Sequence, residues 1–205
     1  EYLAITEQLI NSSIDVAIGG GMAFFEELYG KSVKERLNTK GFTLAESLSE
    51  TASIDSDKRA MVLIADKEID NRKGYLANAT GEALRLLDND KGFVLMVEGS
   101  LIDGMGHAND AQAQQGEMLD FMEAIEVAVE YAKHNPETLV VVTGDHETGG
   151  LSIVSCDANF CLSEQGVEYR WTTNGHSGTM LPIYLYGRYA EEINGIMENS
   201  ELGAK

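Results

Sequence analysis

Apolar and polar positions alternate in blocks along the chain. Between positions 2 and 11, Leu3, Ile5, Leu9 and Ile10 stand among polar residues at helical spacing, and an apolar run at 15–18 then reads as a buried strand closed by Gly19, Gly20 and Gly21. Helix, strand and glycine turn thus open the chain, with a further helix expected after the turn. Other strands are predicted at 61–65, 92–97, 138–143, 151–155 and 181–186, and helices at 43–51, 80–87, 114–134 and 190–197. The longest helix carries Met118, Phe121, Met122, Ile125, Val129 and Ala132 as an apolar stripe expected in the core, and Pro136 stops it before the next strand. Apolar strands alternating with amphipathic helices predict an α/β fold, with a largely parallel sheet sandwiched between helices.

The triple glycine invites a phosphate-cradling reading, since a glycine turn opening a helix can present backbone N–H groups to an anion. The G-x-G-x-x-G pattern is absent, because Met22, Ala23 and Phe24 follow Gly21. A structural turn is the expectation.

Charge narrows the partners. Asp and Glu number 34 against 15 Lys and Arg, a net charge of -19 over 205 residues. Such a surface repels nucleic-acid backbones and anionic lipid, so neither is an expected partner. Bound cations can reverse the field locally, so a phosphorylated substrate stays compatible with the acidity. No apolar run approaches the roughly 20 residues that span a bilayer. The chain begins at Glu1 without an initiator Met or signal peptide, and the expectation is a processed or truncated chain. Cys156 and Cys161, four residues apart in a polar stretch, suit a short disulfide in an oxidising compartment, against the alternative of two free thiols.

Three clusters carry the candidate chemistry. Glu98, Asp103 and His107 leave the strand predicted at 92–97 through a glycine-rich stretch, expected as a tight loop. Asp145 and His146 follow the strand at 138–143, and His176 sits in TTNGHSG before the last strand. Of four histidines, only His134 lies elsewhere, at the C-terminal end of the long helix, where the helix dipole accounts for it. Zinc takes imidazole nitrogen and carboxylate oxygen, and a catalytic zinc keeps three protein ligands and an open position. Asp103, His107 and His176 supply that set. Asp145 and His146 make two ligands of a second zinc, and Glu98 is a hard oxygen donor suited to magnesium. These six residues are expected to converge in one cleft at the carboxyl edge of one sheet.

The segments GFVLMVEGSLIDGMGHAND, TLVVVTGDHETGGL and TTNGHSG, in this order and spacing, resemble the alkaline phosphatases, as do ITEQLINSSIDVAIGGG and EIDNRKGYLANAT. The resemblance covers nearly the whole chain. It implies a metal-binding C-terminal part of such an enzyme, residues 1–205 forming a partial catalytic domain. It further implies hydrolysis of phosphate monoesters through a phosphoserine, inorganic phosphate as product, a periplasmic or extracellular home, and leaves a homodimer open. By resemblance, two Zn2+ and one Mg2+ are the cofactors: Asp103, His107 and His176 hold one zinc, Asp145 and His146 the second, and Glu98 the magnesium. The family's serine nucleophile, a metal-bridging aspartate and a phosphate-binding arginine have no counterpart among these residues, so no catalytic residue is assigned. Ser100, Thr148 and Ser177 read as loop and supporting residues rather than substitute nucleophiles. The rival readings are a related metal-dependent phosphodiesterase or phosphonate hydrolase, or an inactive metal-binding protein.

Overall fold

The computed structural model describes residues 1–69, 74–154 and 168–204, which fall into two compact units, Glu1–Val97 and Glu98–Lys205. Cys156 and Cys161, and with them the expected disulfide, lie outside the described residues.

The first unit runs α1 (Tyr2–Asn11), β1 (Val16–Gly19), α2 (Met22–Tyr29), α3 (Val33–Thr39), β2 (Phe42–Ala45), β3 (Arg59–Leu63) and α4 (Tyr75–Leu87). Its three strands are parallel in the order β1-β3-β2, with Val16 opposite Ala60 and Phe42 opposite Arg59. Side chains alternate across a strand, so the continuous apolar run of β3 can be buried only if both faces are covered. They are. Met61 and Leu63 pack with Ile10, Phe25, Val33, Leu37 and Phe42 on one side. Ala60 and Val62 pack with Ala45, Ile54 and Leu86 on the other. Full burial of side chains such as Ile10, Leu37 and Met61 contributes about 1.5–3 kcal/mol each. Arg59 pins the sheet edge: its guanidinium donates to the carbonyls of Ser12, Ile14 and Lys40 at 2.6–3.0 Å and lies 3.8 Å over the Phe42 ring.

The glycine turn is structural, as expected. Gly21 N and Met22 N both donate to Ala65 O, and Ala23 N donates to Asp66 O, so the first donors of α2 are already taken by backbone. Gly20 could carry no side chain, because a Cβ there would fall on Lys67 O.

The second unit comprises α5 (Leu101–Ala108), α6 (Ala111–His134), β4 (Leu139–Val142), β5 (Glu147–Thr148), β6 (Ser152–Val154), β7 (Glu168–Arg170), β8 (His176–Ser177), β9 (Tyr184–Gly187) and α7 (Asn199–Leu202). Its strands pair antiparallel and two by two: β4 with β9, β5 with β8, β6 with β7.

Several expectations are corrected. The run at 92–97 forms no strand among the described residues, and Val94 is 95% and Met96 84% exposed. An apolar pattern shows fitness for a sheet but cannot supply the neighbour that a strand's N–H and C=O groups need. The helix expected at 43–51 is instead β2 followed by a 3-10 helix, Leu48–Ser53. Leu44 and Leu48 imitate a helical i,i+4 pair, but pairing with β3 decides the conformation. The helix expected at 190–197 is a single 3-10 turn, Ala190–Glu192, broken before Gly195 with its φ of +88°. Met118 and Met122, expected in the core, are 43% and 50% exposed, and the residues that α6 buries are Asp120, Ala124 and Ala132. Two-stranded sheets offer this long helix little apolar surface to lie against.

Candidate metal centre

The helix α5 was expected as a loop, and its helicity is what makes the site. Residues four apart face the same way on a helix, so Asp103 and His107 need no glycine-driven bend to converge. Asp103 Oδ2 lies 3.4 Å from His107 Nε2. Gly106 has a different task. A Cβ there would stand 2.9 Å from Thr148 O and 3.1 Å from Thr148 Cβ, so the glycine lets α5 lie directly on β5.

His176 arrives from β8, which pairs antiparallel with β5 and sets His176 opposite Thr148 and Ser177 opposite Glu147. The pairing is braced at both ends. The Glu147 carboxylate accepts from the Ser177 hydroxyl and from Gly150 N. Gly149 N donates to Gly175 O at 2.9 Å, and Gly149 takes a φ of +96° while the Trp171 ring occupies the space a side chain would need. These contacts carry His176 Nε2 to 3.8 Å from Asp103 Oδ1. The donor atoms of Asp103, His107 and His176 then all lie within 4.8 Å of one another.

Donors at about 2.0–2.2 Å from one tetrahedral zinc stand about 3.3–3.6 Å apart. The His107–Asp103 separation of 3.4 Å falls in that range, and the 3.8 Å from His176 to Asp103 needs only a small inward movement. The imidazoles are oriented for it. His107 Nδ1 is 2.6 Å from Asn174 O, and Asn174 Nδ2 donates back to His107 O. A carbonyl oxygen only accepts, so Nδ1 carries a proton, and in the neutral ring Nε2, the nitrogen beside Asp103, keeps its lone pair. The chemistry and spacing of this donor set fit a divalent zinc.

The other expected ligands are placed less tightly. His146 stacks on His176 with ring centroids 3.6 Å apart, and its Nε2 is 3.4 Å from Asp145 Oδ2. Asp145 is largely exposed, with its carbonyl held by Asn199 Nδ2. Glu98 is exposed just ahead of α5. Among the described residues, these three do not join the group formed by Asp103, His107 and His176. Nor do all six share one sheet: Asp145 follows β4, His176 lies in β8, and Asp103 and His107 come from a helix. His134 ends α6 with Nδ1 2.9 Å from Glu130 O and takes no part. Sequence reasoning did not foresee the Asn174 carbonyl or the Glu147 carboxylate. A backbone acceptor leaves no residue-type signal, and Glu147 reads as one more surface acid until β5 and β8 are paired.

An α/β fold carrying a carboxylate and two convergent imidazoles presents a candidate divalent-metal site. The sequence matches the alkaline phosphatase family over residues 2–165, and the chain belongs to that family. It is 29% identical to alkaline phosphatase 3 of Bacillus subtilis over 96% of this chain and 58% of that protein. It is 30% identical to the Escherichia coli alkaline phosphatase over 97% of this chain and 53% of that one. The solved alkaline phosphatase of the Antarctic bacterium TAB5 superposes with a TM-score of 0.87 at 35% identity, covering 98% of this chain and 61% of that enzyme. A variant of the TAB5 enzyme has been solved with magnesium bound. The chain thus spans a little over half the length of the relatives it matches.

Proposed function

We propose that this chain is the metal-holding part of an enzyme that hydrolyses phosphate monoesters through a phosphoserine, with two zinc ions and one magnesium ion. The observation that carries the reading is the convergence of Asp103, His107 and His176 in a chain of this family. Those three hold the first zinc, Asp145 and His146 contribute to the second, and Glu98 contributes to the magnesium. The remaining ligands, the serine and the phosphate-gripping cation belong to the part of the relatives' length that this chain does not span. A metal here supplies a Lewis acid for the phosphoryl group. The chain's own residues orient it: α5 sets the carboxylate and His107 on one face, Asn174 fixes the His107 tautomer, and the β5–β8 pairing delivers His176. Substrates are small phosphate monoesters and the product is inorganic phosphate. A periplasmic or extracellular home fits the cysteine spacing, and among the described residues no helix is long and apolar enough to cross a membrane.

Zinc titration and a p-nitrophenyl phosphate assay on the purified 205-residue chain test this reading. Zinc binding is expected, with turnover no faster than that of free metal ion, because nothing assigned here is a nucleophile. A chain that binds no zinc would overturn the reading, and metal-dependent turnover by the chain alone would show that it contains its own nucleophile.

A further inference from the structure

Thr148 is one of the few buried polar residues among those described, although nothing in the proposed chemistry requires a hydroxyl there. Its Oγ1 lies 2.5 Å from Asp103 Oδ1 and 3.2 Å from His146 Nδ1. A hydroxyl has one proton to give and lone pairs to receive with, whereas an ionised carboxylate can only accept. The Thr148 proton therefore goes to Asp103. What remains toward His146 is acceptor capacity, so in the neutral ring Nδ1 is the protonated nitrogen and Nε2 the free one. That free Nε2 is the atom beside Asp145 Oδ2. His107 reaches the same tautomer by a separate route, through the Asn174 carbonyl.

We propose that Thr148 is a positioning residue that links the two zinc sites, its single hydroxyl orienting the Asp103 carboxylate of one and setting the tautomer of His146 in the other. The inference rests on the metal reading above and adds to it a side-chain hydrogen-bond link between sites that the His146–His176 ring stack and the β5–β8 pairing also join. Burial strengthens the link, because water cannot replace either hydrogen bond cheaply at an enclosed hydroxyl. The β-branch matters too. The Thr148 Cβ and Cγ2 atoms sit where a Cβ on Gly106 would be only 3.1 Å away, so close packing of α5 holds the side chain in place. Threonine thus combines a hydroxyl with a locked rotamer, while its backbone faces His176 across the β5–β8 pair.

Two substitutions separate hydroxyl from shape. Thr148→Val keeps the volume and removes the hydrogen bonds, and Thr148→Ser keeps the hydroxyl with less packing. Loss of a group that orients metal ligands typically costs about 10–100-fold in metal affinity. Chelator competition with Zn2+ on the 205-residue chain should show a loss of that size for T148V and near-normal binding for T148S. His146→Ala should weaken the first site in the Thr148 background and change it little in the T148V background, the non-additivity expected of residues in one network. Nitrogen-15 NMR of the unsubstituted, metal-free chain at about pH 8, where an ordinary imidazole is neutral, should show His146 protonated at Nδ1. This readout does not depend on whether T148V folds, nor on metal binding. T148V binding zinc as tightly as the unsubstituted chain, or His146 protonated at Nε2, would overturn the proposal. An unsubstituted chain that binds no zinc but shows the Nδ1–H tautomer would sink the metal reading, and with it the link between sites, while leaving the hydrogen-bond geometry standing.

Discussion

Asp103 and His107 lie one helical turn apart on α5, with Oδ2 of one 3.4 Å from Nε2 of the other. An i,i+4 pair of ligands on a helix is held by backbone hydrogen bonds, so two of the three donors are organised before any metal arrives. His176, brought in by a two-residue strand, depends on tertiary pairing.

Removing that third donor should therefore be costly. His176→Ala leaves two ligands, too few for a tight zinc site, and its zinc affinity should fall by at least about tenfold. His134→Ala removes an imidazole that contacts Glu130 and should leave affinity unchanged. Equal affinities for the two variants by chelator competition would place the zinc elsewhere.

The contact of α5 with β5 can be tested through Gly106. Gly106→Ala puts a Cβ within 2.9 Å of Thr148 O, a backbone atom that cannot swing aside. Overpacking of this kind costs about 1–3 kcal/mol. Both the denaturation midpoint and the zinc affinity should drop, whereas Gly116→Ala on α6, where a Cβ meets nothing, should be neutral or slightly stabilising.

What could be read in the sequence divides along a physical line. Local patterns were sufficient where one element determines its own form: α1, α6 and the strand cores of β1, β3 and β4 lie where periodicity puts them. The identity of the three donors was also legible, because zinc chemistry selects residue types. Their geometry was not. Three glycines in ten residues suggested a loop, yet α5 is helical, and its Gly106 is needed for the close approach to Thr148 rather than for a turn. The run 92–97 had the local features of a strand, yet no strand forms there among the described residues, because pairing is a property of two segments. The Thr148 hydroxyl and the Asn174 carbonyl stayed hidden for the same reason: their meaning lies in what they touch across 45 and 67 residues of chain.

Arg59 offers a test of the first unit. Arg59→Met keeps an apolar stem over Phe42 but deserts the carbonyls of Ser12, Ile14 and Lys40. Hydrogen bonds from a charged donor contribute about 1.5–3 kcal/mol each in net terms, and water can replace some of these at the sheet edge. A loss of about 2–3 kcal/mol in urea denaturation is expected. Unchanged stability would mean that the carbonyls are equally well served by solvent.

Acid sensitivity should have a contribution from Glu82. The Thr51 hydroxyl, donating at 2.7 Å, holds its carboxyl below the ordinary 4.5, with Arg85 adding to the effect and partial burial opposing it. A depressed folded-state pKa gives stability that is present above 4.5 and lost as pH falls through the lower folded value. Glu82→Gln should therefore be less stable than the unsubstituted chain at about pH 7, and the gap should narrow once the pH is below the folded value. A gap of the same size at both ends, measured by chemical denaturation, would remove Glu82 from the acid response.

The central claim is that Asp103, His107 and His176 bind one zinc ion. Zinc K-edge X-ray absorption on the 205-residue chain loaded with one equivalent of metal measures the ligands directly. The expected spectrum has nitrogen and oxygen neighbours at about 2.0–2.2 Å, with outer-shell scattering from two imidazoles that falls to one in His176→Ala. A sulfur shell at about 2.3 Å, or imidazole scattering untouched by His176→Ala, would contradict it.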